Sequence, residues 1–477
     1  MCGIAGGACT RVELDRALRA IEHRGPDGSG IVPGGDYLLG HVRLAVQDLT
    51  EAAAQPFTAG RTVVTFNGEA WQPARLRALV EDTHIGGPLP DGWISTGDTE
   101  PVAHLLDRCG VEALPIIRGM FALAWVGRDG DLYLARDAYG EIPLHLGRTR
   151  SGRYVYGSEI RAVLALGAVP ASVQWVPPGY YVRIFEGGRQ ARLHRWYAEH
   201  RLDPIEADTS TAAREVRDHL DRGVRDRLIA DVPVTLLCSG GLDSGAALGL
   251  ALAAGQKIDA VYTAVHDPKS RDLHCARQTA DLFGVELREV PVPAPDADAL
   301  AALVRKIELP HKAQVEIAVA CDALARRMAA DGVKVVLSGE GSDELWASYG
   351  MAYHGIARYG WHAYRSDLFT GQHRKNFPRT NKVFMAHGIE ARLPFLDPGL
   401  ARYAMRLTQD AVTAKGRHPK AVLAEAVRDL LPADLRLRPK VAFQKGARLD
   451  TAASRAVPDP RAFYAAEFRT AFRGAKP

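Results

Sequence analysis

The chain is poor in cysteine, carries no strong excess of either charge, and has no apolar run that stays unbroken over membrane length. Its six cysteines, Cys2, Cys9, Cys109, Cys238, Cys275 and Cys321, are spread over 477 residues with no CxxC spacing, which excludes a zinc ribbon and a disulfide scaffold. Reduced thiols of this kind fit a cytoplasmic setting. Against 60 Lys and Arg stand 56 Asp and Glu, a formal charge of +4 that gives no reason to expect nucleic acid or a membrane surface as partner. The longest nearly uncharged stretch, Val232 to Gln256, is interrupted by Pro233, Gly240-Gly241 and Asp243, so it reads as strand, turn and helix rather than a span. Met1-Cys2-Gly3-Ile4 has neither a basic nor an apolar leader, and no secretory signal is expected.

What is present is an ordinary globular composition, 47% hydrophobic and 24% charged, at a length that suggests two or three domains. Up to about residue 190, short β-like runs (Tyr37 to Leu39, Thr62 to Phe66, Phe121 to Val126, Leu132 to Ala135, Tyr154 to Tyr156, Tyr180 to Phe185) are interrupted by helical patterns at Val12 to His23, Ala74 to Asp82 and Thr99 to Cys109. Asp129-Gly130 predicts a hairpin between two of the strands. This half reads as α+β with antiparallel sheet. From Thr211 the pattern changes. A helical stripe through Val216, Leu220, Val224 and Leu228 leads into strands at Val234 to Leu237, Ala260 to Val265, Glu286 to Val290 and Val333 to Leu337. These alternate with helices at Gly245 to Ala254, Leu273 to Phe283, Ala297 to Glu308 and Ile317 to Ala330, which predicts a mostly parallel sheet covered on both faces. After about Leu449 the chain is Ala, Arg and Pro with little periodicity, and a loosely held tail is expected.

A cysteine behind the initiator Met becomes N-terminal once Met1 is removed, and its α-amino group can then take its own thiol proton. The competing reading of Cys2 is a small buried residue in a first strand. Acyl transfer also needs oxyanion donors, which the Asn67 side chain and the Gly68 N–H could supply, although Asn-Gly is equally a turn. Arg43 suits the carboxylate of an amino-acid substrate, and Glu69 with Asp98 its ammonium; taken singly, each is an ordinary surface charge.

Later, Ser239-Gly240-Gly241-Leu242-Asp243-Ser244 lies between an apolar run and a helix, where backbone N–H groups can converge on a phosphate. It lacks the lysine of a GxxxxGK loop, and its Asp points instead to magnesium. About a hundred residues on, Leu337-Ser338-Gly339-Glu340-Gly341-Ser342-Asp343-Glu344 repeats the arrangement of a strand followed by small residues and carboxylates. Asp243 and Asp343 could share the ion, while the plainer readings are a glycine-containing turn and a helix-capping loop.

These residues resemble a family. Met1-Cys2-Gly3-Ile4-Ala5-Gly6, His23-Arg24-Gly25-Pro26-Asp27, His41-Val42-Arg43-Leu44, Phe66-Asn67-Gly68-Glu69 and Gly97-Asp98-Thr99-Glu100 are similar to the motifs of class II glutamine amidotransferase domains. The second half resembles the synthetase domain of glutamine-dependent asparagine synthetases, with support from Asn381-Lys382, Gly388 to Asp397 and Arg438-Pro439-Lys440. The resemblance implies an N-terminal-nucleophile hydrolase fold, an αββα sandwich, over residues 2–195. It implies an α/β parallel-sheet pyrophosphate-loop ATPase domain over 211–449, with 450–477 as the tail. Cys2 would be the nucleophile, Asn67 and Gly68 the oxyanion hole, and Arg43, Asn67, Glu69 and Asp98 the glutamine site. ATP would lie on Leu237, Ser239, Gly240, Gly241, Asp243, Ser244, Ser338 and Gly339, with Mg2+ on Asp243 and Asp343. Glu340 would act as a base on ammonia, and Lys440 would neutralise phosphate charge.

The expected partners are small molecules, namely glutamine, ATP and a carboxylic acid such as aspartate, with room for a homodimer. A glutamate at 340 beside Cys2 speaks against the cyclising relatives, which carry a tyrosine there. Leu345-Trp346-Ala347-Ser348-Tyr349, Asp272-Leu273, Ala424 and Gly140 to His145 depart from the family pattern, which keeps a different carboxylic acid open as acceptor. An intramolecular cyclising ligase and a catalytically silent binding protein are the alternatives of another class.

Overall fold

The computed structural model describes residues 1–198, 203–350, 352–438 and 449–475. Two six-stranded sheets build the first half. One runs Gln174–Trp175, His145–Arg148, Tyr154–Gly157, Gly3–Gly7, Tyr37–Arg43, Gly28–Gly34; the other runs Gln190–Arg195, Tyr180–Phe185, Leu132–Arg136, Gly119–Val126, Thr62–Ala70, Phe57–Ala59. The sheets pack face to face. Helices Arg11–Ala20 and Ile160–Ala165 cover the first, and Pro73–Glu81 and Thr99–Cys109 cover the second, completing an αββα sandwich. Strand Gly3–Gly7 is central and wholly buried. Its glycines are demanded by close approach: a Cβ on Gly6 would lie 2.3 Å from the Leu38 carbonyl oxygen. That same glycine content hides the strand from a β-propensity reading, and it was not among the expected strands. The Asp129-Gly130 hairpin is present, with Gly130 at φ +81 between Gly119–Val126 and Leu132–Arg136.

Helix Thr209–Asp226, capped by Asp208, opens the second half and stops before Leu228, two residues short of the expected stripe. The third sheet has five parallel strands ordered Glu286–Pro291, Ala260–Val265, Val234–Leu237, Val335–Leu337, Glu390–Arg392. Val234–Leu237, first in sequence, lies in the middle, and the chain winds outward from it in both directions. The switch point therefore falls between Val234–Leu237 and Val335–Leu337, and ligands of such sheets bind in the crevice there. The Ser239 and Ser338 loops leave these two strands side by side.

The tail departs from expectation. Residues 449–472 form helices Leu449–Ala456 and Pro460–Phe472, and Tyr464, Phe468 and Phe472 are buried against helix Ala297–Ile307. Three rings at four-residue spacing make one apolar stripe, each worth about 1.5–3 kcal/mol when fully buried, and the surrounding Ala and Arg masked that periodicity. Among the described residues, all six cysteines are free thiols and no helix is long and apolar enough to cross a membrane.

Candidate active sites

Cys2 immediately precedes the central strand and is 7% exposed. Its N–H donates to Asn67 Oδ1 at 2.9 Å, and its carbonyl accepts from Arg24 Nε at 3.0 Å. The Leu44 N–H points at Sγ from 3.5 Å. Burial pushes the thiol up from its ordinary value, so it needs a base close by to ionise. In this chain the Cys2 nitrogen is an amide bonded to Met1, and Met1 itself is buried.

Asn67, Gly68 and Glu69 follow one another on strand Thr62–Ala70, which faces the Cys2 strand from the second sheet. Asn67 Nδ2 donates to Ser158 Oγ at 3.1 Å, leaving the amide a second N–H. Gly68 is obligatory, because a Cβ there would lie 2.0 Å from the Met120 carbonyl oxygen. Glu69 accepts from Gln47 Nε2, lies 3.4 Å from Arg392 Nη2, and is 3.6 Å from the Met1 ammonium. Asp98 accepts the Ala70 N–H at 2.7 Å; burial, with Glu69 beside it, pushes its carboxyl up to about 7. Arg43 ends strand Tyr37–Arg43, next to the Leu44 N–H that faces the thiol, and donates to the Asp48 carbonyl at 2.5 Å. The expected glutaminase residues thus come together around Cys2, from four separate segments.

In the second half, Leu237 closes its strand and the loop turns at Gly240, φ +66, where a Cβ would meet Ala276 N at 2.4 Å. Gly241 is the N-cap of helix Leu242–Ala253, so its first-turn N–H groups open onto the crevice. Ser239 and Ser244 share a hydroxyl hydrogen bond of 3.1 Å across the turn. From the neighbouring strand come Ser338 and Gly339, and a Cβ on Gly339 would lie 3.0 Å from Asp243 Cβ, so the two loops touch. Asp243 Oδ1 accepts from Ser342 Oγ at 2.8 Å. Glu340 is held by Arg379 and Thr380. Lys440 lies outside the described residues.

Lys420, which the sequence reading left without a role, completes this site. Its ammonium is 2.7 Å from Asp243 and 2.7 Å from Asp343. It stands 177 residues from Asp243 in sequence, and no local pattern names that partner. Both carboxylates face a single positive centre, so the donor set fits a divalent ion that completes its shell with phosphate oxygens and water. Among the described residues no cluster of three or more His, Cys, Asp or Glu forms a self-sufficient metal cage.

A buried charged seam joins the halves. Arg24 pairs with Glu159 at 3.0 Å and donates to Asn381 Oδ1 at 3.0 Å; Glu308 takes Lys382 at 2.6 Å and the Ile160 N–H at 2.8 Å. Burial alone would raise Glu159, but His23, Arg161 and Arg24 hold it well below the usual carboxylate range. Arg392, on the last strand of the parallel sheet, reaches Glu390 at 2.5 Å, Glu69 at 3.4 Å and the carbonyls of Arg227 and Ile229 at 2.8 and 2.7 Å. Its own carbonyl accepts the Ser338 N–H at 3.0 Å. One residue therefore touches Glu69, on the strand that faces Cys2, with its side chain and the Ser338 loop with its backbone.

Residues 1–186 match the family model of a glutamine amidotransferase domain, and residues 215–377 and 362–459 match that of asparagine synthase. Asparagine synthetase B (glutamine-hydrolysing) of Escherichia coli is 31% identical over 452 residues, 91% of this chain and 78% of that protein. Asparagine synthetase 3 of Arabidopsis thaliana is 31% identical over 454 residues, covering 91% of this chain and 75% of its own. The solved glutamine phosphoribosylpyrophosphate amidotransferase of B. subtilis overlaps 61% of this chain at 18% identity and a TM-score of 0.35, too loose to add to the family match.

Proposed function

The chain belongs to the glutamine-hydrolysing asparagine synthetase family, and from that premise we propose that it uses ATP and glutamine to amidate aspartate, giving asparagine, AMP, pyrophosphate and glutamate. The observation that carries the proposal is the presence in one chain of the Cys2 pocket and the Asp243/Asp343 crevice, joined through a buried seam rather than through solvent.

With Met1 removed, the Cys2 amine takes the thiol proton, and the thiolate attacks the glutamine side-chain amide. The free N–H of Asn67 and the Gly68 N–H stabilise the oxyanion, while Arg43 takes the glutamine carboxylate and Glu69 and Asp98 its ammonium. Ammonia leaves, and the glutamyl thioester is hydrolysed to glutamate. In the crevice, the Gly240-Gly241 turn and the first turn of helix Leu242–Ala253 receive the phosphates, with Leu237, Ser239, Ser244, Ser338 and Gly339 around the nucleotide. Magnesium held by Asp243 and Asp343 would neutralise the triphosphate. Aspartate's side-chain carboxylate displaces pyrophosphate, forming an acyl adenylate. Ammonia then attacks the acyl carbon and AMP departs, with Glu340 accepting the proton that ammonia loses. A passage shut off from water has a physical reason, since in neutral water most ammonia is ammonium and not nucleophilic. A cytoplasmic location is part of this reading and rests on the cysteine usage.

A pyrophosphate-release assay over candidate acids tests the proposal. Aspartate should give AMP and pyrophosphate in equal amounts; formation of ADP and phosphate, or turnover with another acid in preference to aspartate, overturns it.

A further inference from the structure

Beside the strand that follows Cys2, a serine lends its side chain to the sheet. Pairing between Gly3–Gly7 and Tyr154–Gly157 brings Ala5 opposite Gly157. One residue on, the Ser158 N–H still donates to the Ile4 carbonyl at 2.9 Å, but the Ile4 N–H donates to Ser158 Oγ, also at 2.9 Å. The backbone turns there, since Glu159 is the N-cap of helix Ile160–Ala165, and the hydroxyl takes the place of the carbonyl that left the ladder. A serine oxygen has two lone pairs, and the second receives an N–H of Asn67 Nδ2 at 3.1 Å. Ser158 and Asn67 are both fully buried, so bulk water does not compete for these bonds.

The amide of Asn67 is therefore pinned at both ends. Its Oδ1 accepts from the Cys2 nitrogen at 2.9 Å, and one N–H of Nδ2 is given to Ser158. Because the amide is planar, these two bonds also fix where its remaining N–H points. Resting on the glutamine hydrolysis proposed above, we propose that Ser158 is a positioning residue of that reaction: it sets the Asn67 amide so that the free N–H meets the oxyanion formed when Cys2 attacks glutamine. Ser158 acts through Asn67 and not on the substrate.

An oxyanion donor is worth most when it does not have to move during the reaction. The two donors here are held by different means. Gly68 offers a backbone N–H, fixed by the pairing of strand Thr62–Ala70 with Gly119–Val126. Asn67 offers a side-chain N–H, and the last torsion of an asparagine is broad, so nothing within the side chain resists its turning. With alanine at 158, Nδ2 would keep a buried N–H without an acceptor, and rotation of the amide is the ready way to find another. That rotation carries the free N–H off the oxyanion.

The test uses the full-length enzyme with its N-terminal cysteine verified by mass. Ser158→Ala should lower kcat for glutamate release from glutamine by about tenfold or more, with the KM for glutamine within about twofold of wild type. An aldehyde analogue of glutamine, which Cys2 converts to a thiohemiacetal with its oxygen in the oxyanion place, should lose affinity by about the same factor. Alkylation of Cys2 by iodoacetamide, read by mass at that residue, passes through no oxyanion and should keep its rate. In Asn67→Ala, adding Ser158→Ala should cost less than about twofold more, because the group through which Ser158 acts is gone. If thermal unfolding shows that Ser158→Ala does not fold, Ser158→Cys, a weaker acceptor of similar size, carries the same comparisons. A kcat within about twofold of wild type, an equal loss in the Asn67→Ala background, or a matching loss of alkylation rate overturns the positioning role. So does a change confined to the KM for glutamine. Absence of glutamate release from the wild-type enzyme would instead overturn the reaction on which the role rests.

Discussion

The two candidate sites are built on opposite principles. Around Cys2 the functional groups sit on sheet strands and their flanks, with Asp98 at the start of helix Thr99–Cys109, and are closed off, with Asn67 at 0%, Glu69 at 3% and Asp98 at 6% exposure. Around Asp243 they sit on loops and first helical turns beyond the strand ends and stay partly accessible, with the Asp243 and Asp343 side chains at 15% and 18%. A small substrate attacked by a thiolate gains from exclusion of water, which strengthens every hydrogen bond to the oxyanion. A triphosphate must be admitted whole and brings its own charge, so that crevice supplies turns, helix N-termini and carboxylates at its rim. The contrast teaches that desolvation controls protonation in the first site, whereas in the second a fixed cation, Lys420, holds the carboxylates in place.

The largest effect should come from Cys2→Ala, which is expected to lower glutamine-dependent amidation by about 10⁴-fold or more while ammonium chloride still supports product. Persistence of glutamine use in that variant would end the nucleophile assignment and, with it, the contrast. Next, Asp343→Asn should cost about 10²–10³-fold in pyrophosphate release, comparable to losing one charge-stabilising group, and glutamate release measured in parallel shows whether the effect is confined to the crevice. Replacing Lys420 by Met should cost about tenfold in the same assay, because Asp243 and Asp343 lose the charge that keeps them aligned. Equal glutaminase loss in either variant would mean that the sites are not separable.

A pH series sharpens the desolvation half of the comparison. Asp98 has its carboxyl raised to about 7, so it is largely neutral below that pH and cannot hold an ammonium. The KM for glutamine should therefore rise as pH falls from 8 to 6, up to about tenfold per unit below 7. In stability the sign is reversed. An acid whose folded pKa lies above its unfolded value binds protons more tightly when folded, so its ionisation costs stability progressively from about pH 4 to 7. Asp98→Asn should thus stabilise the protein more at pH 8 than at pH 5 by thermal unfolding; equal shifts at both would argue against a desolvated carboxylate. The smallest functional effect is expected from Phe468→Ala in the last helix, which should cost about 3 kcal/mol of stability and leave both KM values near wild type.

The residues that the sequence disclosed are those whose spacing is local. Cys2 behind Met1, Asn67-Gly68-Glu69, and the two small-residue turns each form a short pattern with a chemical reason, and the structure gathers them as separate clusters. Long-range partners were not legible: Lys420 matters because folding sets it opposite Asp243 and Asp343, and Arg392 because folding sets it opposite Glu69, and no window of sequence contains those partners. Strand Gly3–Gly7 was missed for a different reason. Tight packing at the centre of the sandwich requires glycine, the residue that local propensity counts against a strand. The helical tail failed a third way, since its stripe of Tyr464, Phe468 and Phe472 lies among alanines and arginines that blur the period.

Arg392 has one further meaning, for how the protein can change over time. Its guanidinium pairs with Glu69 while its backbone carbonyl, which every substitution keeps, holds the Ser338 N–H, so a change of side chain is felt first beside Cys2 and reaches the Ser338 loop only through a shift of the strand. Loops around the crevice are free to drift toward new acceptors; this position is not. It ties the histories of the two halves together, and a lineage that discarded glutamine would be expected to show the release first at this residue and its partners Glu69 and Glu390.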